Sequence, residues 1–313
     1  MALSLSHGLV LVGLLAATPS AHSANATAAD AVLTRGKYVF QAAGCYGCHT
    51  NDKHGNPPLA GGRALVTAFG TFYTPNITPD AESGIGKWSE QDFVQALRAG
   101  VGRNHEQLYP AFPYTSYTRM TNDDLHALWV YLQSRPAVKQ VNKPHDLKWF
   151  VSVRSFIKLW KALYFTSGTY RPDPQKPVSW NRGAYLVLAM AHCGECHTPR
   201  NVLGGAKTGM AYAGTLDGPD NSVIPNITPD KATGIGRWST SDLTTYLQNG
   251  MTPDGDFAGG LMAEEIDNSL QHLRKDDIAD IAGFIQSQPA VVHALHKTDK
   301  KTHKKSSVKA DWE

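Results

Sequence analysis

All four cysteines of this 313-residue chain fall in two copies of one pentapeptide, Cys45-Tyr46-Gly47-Cys48-His49 and Cys193-Gly194-Glu195-Cys196-His197. That spacing answers to a specific chemistry: two thiols add to the two vinyl groups on one edge of a haem, and the adjacent imidazole then reaches the iron. The blander readings are structural zinc, a thioredoxin-like redox pair and ordinary disulfides. A ring nitrogen directly after the second cysteine does not usually share a tetrahedral metal with both sulfurs, and a further ligand pair is missing nearby. A redox pair needs neither the histidine nor a second copy. The expectation is two covalent haem c groups, attached through Cys45, Cys48, Cys193 and Cys196, with His49 and His197 on the irons.

The motifs sit inside a longer duplication. Arg35-Gly36-Lys37-Tyr38 answers to Arg182-Gly183-Ala184-Tyr185, and the arginine precedes the first motif cysteine by ten residues in one copy and eleven in the other. Pro75-Asn76-Ile77-Thr78-Pro79-Asp80 recurs from Pro225, and Gly84-Ile85-Gly86-Lys87-Trp88-Ser89 recurs from Gly234 with arginine for lysine, both at an offset of 150. Asp123-Asp124-Leu125 and Gln133 to Val138 recur at an offset of 153, so three residues were gained between Gly250 and Asp276.

Each repeat reads as three helices separated by irregular loops. The first covers 31–43, with Asp30 as N-cap, and its counterpart 181–190. The second starts at Ser89 with Asp92 three residues on, echoed by Ser239 and Asp242, and stops at Gly100 or Gly250. The third carries Leu125, Leu128, Trp129 and Leu132 at helical spacing, echoed by Ile278, Ile281, Ala282 and Ile285, and halts before Pro136 or Pro289. Strand signals are sparse, so the expected fold is mostly α. Between the repeats, Trp149, Phe150, Val153, Phe156, Ile157, Trp160, Leu163 and Tyr164 recur with Arg154, Lys158 and Lys161 interleaved, which predicts a basic amphipathic helix ahead of a Pro-rich link. Packing on a neighbouring domain is its default role, and a membrane-surface or partner-docking helix is the alternative.

The sixth iron position separates a carrier from a catalyst, because a thioether there raises the potential and closes the iron to small molecules. In the second repeat Met262 stands before the last helix and Met251 competes from the end of the middle one. In the first repeat Met120 is the sole methionine, a ligand by elimination, although it does not align with Met262. If Met120 only packs, His105 or His126 replaces it, or the iron is open.

Residues 1–26 have the form of a secretory signal, with an apolar run from Gly8 to Ala17 and a break at Pro19, though the segment before that run lacks Lys and Arg. Export to the periplasm is therefore expected. No apolar run of about 20 residues occurs beyond it, which leaves peripheral membrane contact as the available kind. The net charge of +3 is uninformative by itself and no nucleic-acid partner is expected, but lysines gather in the tail, 296–313. A solvated tail is the simpler reading, and contact with anionic lipid or an acidic redox partner the sharper one.

Tyr109-Pro110-Ala111-Phe112-Pro113-Tyr114, the two Asn-Ile-Thr-Pro-Asp copies, Asn181 to Tyr185, and His192 to Asn201 together resemble the cytochrome c subunits of membrane-associated alcohol, gluconate and related dehydrogenases, over nearly all of the chain beyond residue 26. The resemblance implies two tandem class I cytochrome c domains, 27–138 and 181–295, joined by a linker, 139–180, with the amphipathic helix. In such domains the first and last helices cross beside the haem; Gly36 with Tyr131, and Gly183 with Phe284, have the types for that crossing. It also implies Met262 as a ligand, whereas some members place methionine where this chain has Phe112. The implied role is to take electrons from a dehydrogenase catalytic subunit and pass them to quinone, another cytochrome or an oxidase. No side-chain catalytic constellation is evident, so the chain is not expected to be an enzyme by itself. The rivals are a dihaem peroxidase with an open first iron, a thiosulfate-oxidising dihaem enzyme, for which no cysteine is spare, and a free-standing carrier.

Overall fold

The computed structural model describes residues 21–52 and 55–295. Most of the expected signal segment and the lysine-rich tail lie outside the described residues. Helix α1 (Ala21–Ala42) begins upstream of the expected 31–43, which places Asp30 inside it rather than at its cap. Gly44, at φ 61, ends that run and turns the chain into the short α2 (Cys45–His49). β1 (Ala64–Thr67) and β2 (Gly70–Tyr73) form an antiparallel hairpin with Ala64 opposite Tyr73. α3 (Glu90–Ala99) carries the predicted start: Ser89 accepts from the Asp92 N–H, the Asp92 carboxylate accepts from the Ser89 N–H, and Gly100 closes the helix at φ 59. α4 (Tyr114–Tyr117) is a single turn ahead of α5 (Asn122–Gln133), which Thr121 caps. β3 (Asp146–Leu147) then joins the hairpin beside β2.

The apolar stripe between the repeats is not one helix. It breaks at Val153 and Arg154 into α6 (Trp149–Ser152) and α7 (Ser155–Tyr164). On the inner side of α7, Ile157 packs with Phe72 and Tyr109. The Lys161 ammonium donates to the carbonyls of Ala99 and Gly100, each at 2.7 Å. On its outer side Phe156, Leu159 and Leu163 are exposed, as is neighbouring Trp149 at 81 %.

The second half starts with α8 (Val178–Tyr185), which runs directly into a π-helical turn, Leu186–Met190, closed by the Ala191 N–H on the Leu186 carbonyl at 2.8 Å. His192 takes the left-handed position that Gly44 occupies in the first half and leads into α9 (Cys193–His197). α10 (Thr240–Asn249) repeats the Ser-Asp capping box and the glycine stop. α11 (Gly260–Asn268) and α12 (Lys275–Gln286) complete the described helices.

Two helix crossings organise the core: α1 packs on α5, and α8 on α12. At Gly36 a Cβ would stand 2.1 Å from the Ala127 carbonyl oxygen and 2.7 Å from the Tyr131 Cβ; at Gly183 it would stand 2.0 Å from the Asp280 oxygen and 2.9 Å from the Phe284 Cβ. Both backbones approach where only hydrogen fits, as the glycine and aromatic pairing anticipates. Arg35 donates to Asp124 at 2.8 Å and Arg182 to Asp277 at 2.7 Å, tying first to last helix within each half. The tyrosines do the opposite: Tyr185 donates to Asp124 and Tyr38 to Asp277, so each carboxylate is also held from the other half. The buried side chains of both halves merge into one cluster.

Candidate functional site

α2 and α9 each place two cysteines and a histidine on one turn, and none of the four thiols is disulfide-paired. Burial pushes the Cys45, Cys193 and Cys196 thiols up to about 12, so they stand as neutral thiols at pH 7. The His49 Nδ1–H donates to the Pro75 carbonyl at 2.8 Å, and the His197 Nδ1–H to that of Pro225 at 2.9 Å. This bond fixes the ring and its tautomer and leaves the Nε2 lone pair for a metal. Burial holds both imidazoles below their ordinary pKa, which keeps that lone pair unprotonated.

The loop just after each motif, around Pro57 or Pro199, is the nearest candidate in the sequence for the orienting carbonyl, and it does not supply it. The carbonyl comes instead from further along the chain, from the first residue of each Pro-Asn-Ile-Thr-Pro-Asp copy. That hexapeptide is braced by its own side chains. Asn76 donates to the Val138 carbonyl at 2.7 Å and Asn226 to that of Val291 at 2.8 Å, while the Thr78 and Thr228 hydroxyls donate back to the asparagine Oδ1 at 2.7 Å. The exit of the last helix therefore pins the loop that aims the imidazole. The duplication was the available signal; the role was not readable from it.

Met120 lies between α4 and α5, fully buried, within the cluster against which Cys45 packs. Met262 stands in the first turn of α11, partly buried against the same cluster. Its competitor Met251 is 40 % exposed. His105 and His126 are both on the surface, the latter bonded to Glu90 at 2.9 Å. Arg200 turns back on Glu195 and on the Gly204 carbonyl.

Other residues at the site carry no motif. Arg63 donates to the Gly47 carbonyl inside the first pentapeptide at 2.6 Å and pairs with Glu264 on α11. Glu195, inside the second pentapeptide, accepts from Thr115 at 2.6 Å and Ser116 at 2.7 Å on α4. Burial opposes ionisation of Glu195, but Arg200 and those two hydroxyls outweigh it and hold the pKa below the ordinary value. Glu265 stands against Gly44 with its Oε1 sealed from solvent and without a hydrogen-bond partner, and burial raises its pKa. Among the described residues no group of three His, Cys, Asp or Glu is arranged to hold a metal ion. One oriented imidazole beside two unpaired thiols instead fits a haem, whose macrocycle brings its own nitrogens and whose edge takes the sulfurs.

Comparison with known proteins agrees. The cytochrome c family model matches residues 33–136. A dihaem cytochrome c-type protein of Cereibacter sphaeroides is 39 % identical over 266 residues, which are 82 % of this chain and 86 % of that protein. The gluconate 2-dehydrogenase cytochrome c subunit of Pantoea cypripedii is 38 % identical over 82 % of this chain and 60 % of that protein. The fructose dehydrogenase cytochrome subunit of Gluconobacter japonicus is 41 % identical over 82 % of this chain and 53 % of that protein. The chain thus spans between about half and three fifths of the length of these two dehydrogenase subunits. With haem-type pentapeptides on oriented turns and a relative matched over most of both lengths, the chain belongs to the cytochrome c family, whose cofactor is covalently bound haem c.

Proposed function

We propose that this chain is an exported electron-transfer protein with two haem c groups, one in each of two cytochrome c domains, 27–138 and 181–295. It accepts electrons from a dehydrogenase catalytic subunit and delivers them to quinone, another cytochrome or an oxidase. The observation that carries this reading is the doubling of the oriented turn: each half supplies two thiols and a neutral histidine whose Nδ1 is held by a proline carbonyl. Cys45, Cys48, Cys193 and Cys196 would hold the macrocycles, His49 and Met120 one iron, and His197 and Met262 the other. Bound haem supplies one-electron chemistry at iron; the chain contributes burial, ligand choice and docking. A partner that oxidises its substrate by two electrons is matched by two one-electron sites. Relatives named as dehydrogenase cytochrome subunits support that partner.

Periplasmic placement, with peripheral attachment to the inner membrane, is part of the same proposal. Its support is the outer face of α6 and α7, where apolar side chains are exposed. No acidic residue occurs from Leu147 to Pro172, and Lys148, Lys158 and Arg171 are exposed there, whereas Arg154 and Lys161 are taken up by backbone carbonyls. Such a face suits an anionic lipid surface.

The test is near-infrared magnetic circular dichroism of the oxidised holoprotein, with haem quantified. Two methionine-ligated irons per chain are expected. A peroxidase-type protein with an open first iron gives one, together with a high-spin signal that responds to peroxide, and that outcome would overturn the carrier reading.

A further inference from the structure

The two halves do not merely touch; their contacts come in reciprocal pairs. Tyr38 of the first half donates to Asp277 of the second, and Tyr185 of the second to Asp124 of the first. Both carboxylates are buried, at 2 % and 5 % exposure. The left-handed residue before each pentapeptide is faced by the other half's segment ahead of its last helix. A Cβ on Gly44 would lie 3.3 Å from Glu265 of α11, and the His192 ring stands edge-on to Tyr117 of α4 with centroids 5.5 Å apart. The third residue of each pentapeptide obeys the same rule: Gly47 lies beside Asn268 of α11, and Glu195 accepts from Thr115 and Ser116 of α4. Residue i meeting j while the equivalent of j meets the equivalent of i is the signature of an isologous, two-fold contact. The contact also brings the pentapeptides together. Tyr117 donates to the Ala43 carbonyl at 2.7 Å, just ahead of the first pentapeptide, and stands against His192, just ahead of the second.

Resting on the two-haem reading above, we infer that this pseudo-two-fold interface is the electron path between the haems, with Tyr38–Asp277 and Tyr185–Asp124 as positioning clasps that hold the two pentapeptide turns in a fixed arrangement. Cys45, Cys48, Cys193 and Cys196 would hold the two macrocycles, and Glu265 beside Gly44 and Tyr117 beside His192 stand where the two turns are held. With haem bound, exchange between the two sites would move one electron from a reduced to an oxidised group with no bond or proton moved, and the chain's part is to fix the separation of the two turns. The pairs are tyrosine hydroxyls on buried carboxylates that keep their arginines, so replacing tyrosine with phenylalanine removes the cross-half bond and spares the within-half bond.

The experiment uses the full-length holoprotein. Haem is counted first by the pyridine haemochrome method. Two haems per chain keep the inference open to the next step, and one haem overturns it together with the two-haem reading. The fully oxidised protein is then examined by pulsed electron paramagnetic resonance for mutual relaxation enhancement of the two ferric centres. Half-reduced protein is photoreduced to follow electron exchange. The expected result is strong mutual enhancement, with exchange independent of protein concentration and slowed at least tenfold in Tyr38→Phe/Tyr185→Phe at unchanged haem content and unchanged individual potentials. Two haems with no mutual relaxation, exchange whose rate rises with protein concentration, or an unchanged rate in the double variant would overturn the path while leaving the carrier function standing. If the double variant does not load haem, Thr115→Val/Ser116→Ala, which strips the α4 hydroxyls from Glu195, replaces it under the same criteria.

Discussion

At the scale of single residues, the covalent attachment proposed for the two pentapeptides explains what the sequence made legible. Thioether chemistry demands a fixed local spacing, so Cys45, Cys48, His49 and their second copies are readable without any fold. Replacing both Cys193 and Cys196 with serine is expected to halve the pyridine haemochrome content per chain. The carbonyls that aim the imidazoles were not readable, because Pro75 and Pro225 reach the histidines only through tertiary folding. Asn226 is the test of that support. It is buried and bonded to Val291, Thr228 and Thr233. Asn226→Ala leaves the Val291 carbonyl and the Thr228 hydroxyl short of a partner, with an expected loss of about 2 kcal/mol of stability in a thermal or urea melt. Because the same loop carries the Pro225 carbonyl, the potential of the haem proposed at Cys193 and Cys196 is expected to shift in the same variant, and that of the one proposed at Cys45 and Cys48 to stay fixed.

At the scale of elements, local signals were reliable where the determinant was local. Ser89 with Asp92 and Ser239 with Asp242 build the capping boxes their spacing anticipates. Ser89→Ala is expected to cost about 1 kcal/mol by urea titration, and Ser239→Ala about the same. The helix crossings were legible for a similar reason, since glycine opposite an aromatic marks a close approach. Gly183→Val forces a side chain into the Asp280 carbonyl, which is backbone and cannot yield. A loss of about 3 kcal/mol or a failure to fold is the expected outcome, read by circular dichroism and by haem yield. What escaped were elements whose cause is not local. The stripe from Trp149 to Tyr164 keeps one apolar period through the break at Val153, where Arg154 turns to donate to the Gln107 carbonyl at 2.6 Å. The β1–β2 hairpin is short, and its third strand arrives from more than 70 residues away at Asp146.

At the scale of the whole molecule, the buried Asp277 carboxylate links stability to acid. Burial opposes ionisation of Asp277, yet Arg182, Tyr38 and Arg274 together hold its pKa at about 2, against an ordinary value of 3.8. A carboxylate depressed on folding stabilises the native state fully above its unfolded value and loses that contribution as pH falls toward its folded value. The window is therefore roughly pH 4 to 2, with a contribution on the order of 2 kcal/mol. Urea midpoints measured at pH 5 and at pH 2.5 are expected to fall across that window, and Asp277→Asn is expected to flatten the fall while lowering stability at pH 5. Few of these cross-half bonds were legible beforehand, because a tyrosine in one repeat gives no sign of which distant carboxylate it will meet. The π-helical turn of Leu186–Met190 shows how two copies of one plan can drift apart without losing register. The matching arginine inside each first helix, Arg35 or Arg182, stands ten residues before its cysteine in one half and eleven in the other. The wider turn, closed by the Ala191 N–H on the Leu186 carbonyl, swallows that surplus residue inside the helix itself. The extra residue is thus silent at both ends, and a one-residue deletion at Leu188 is expected to give the second half the ten-residue count of the first and to keep the helical signal in circular dichroism.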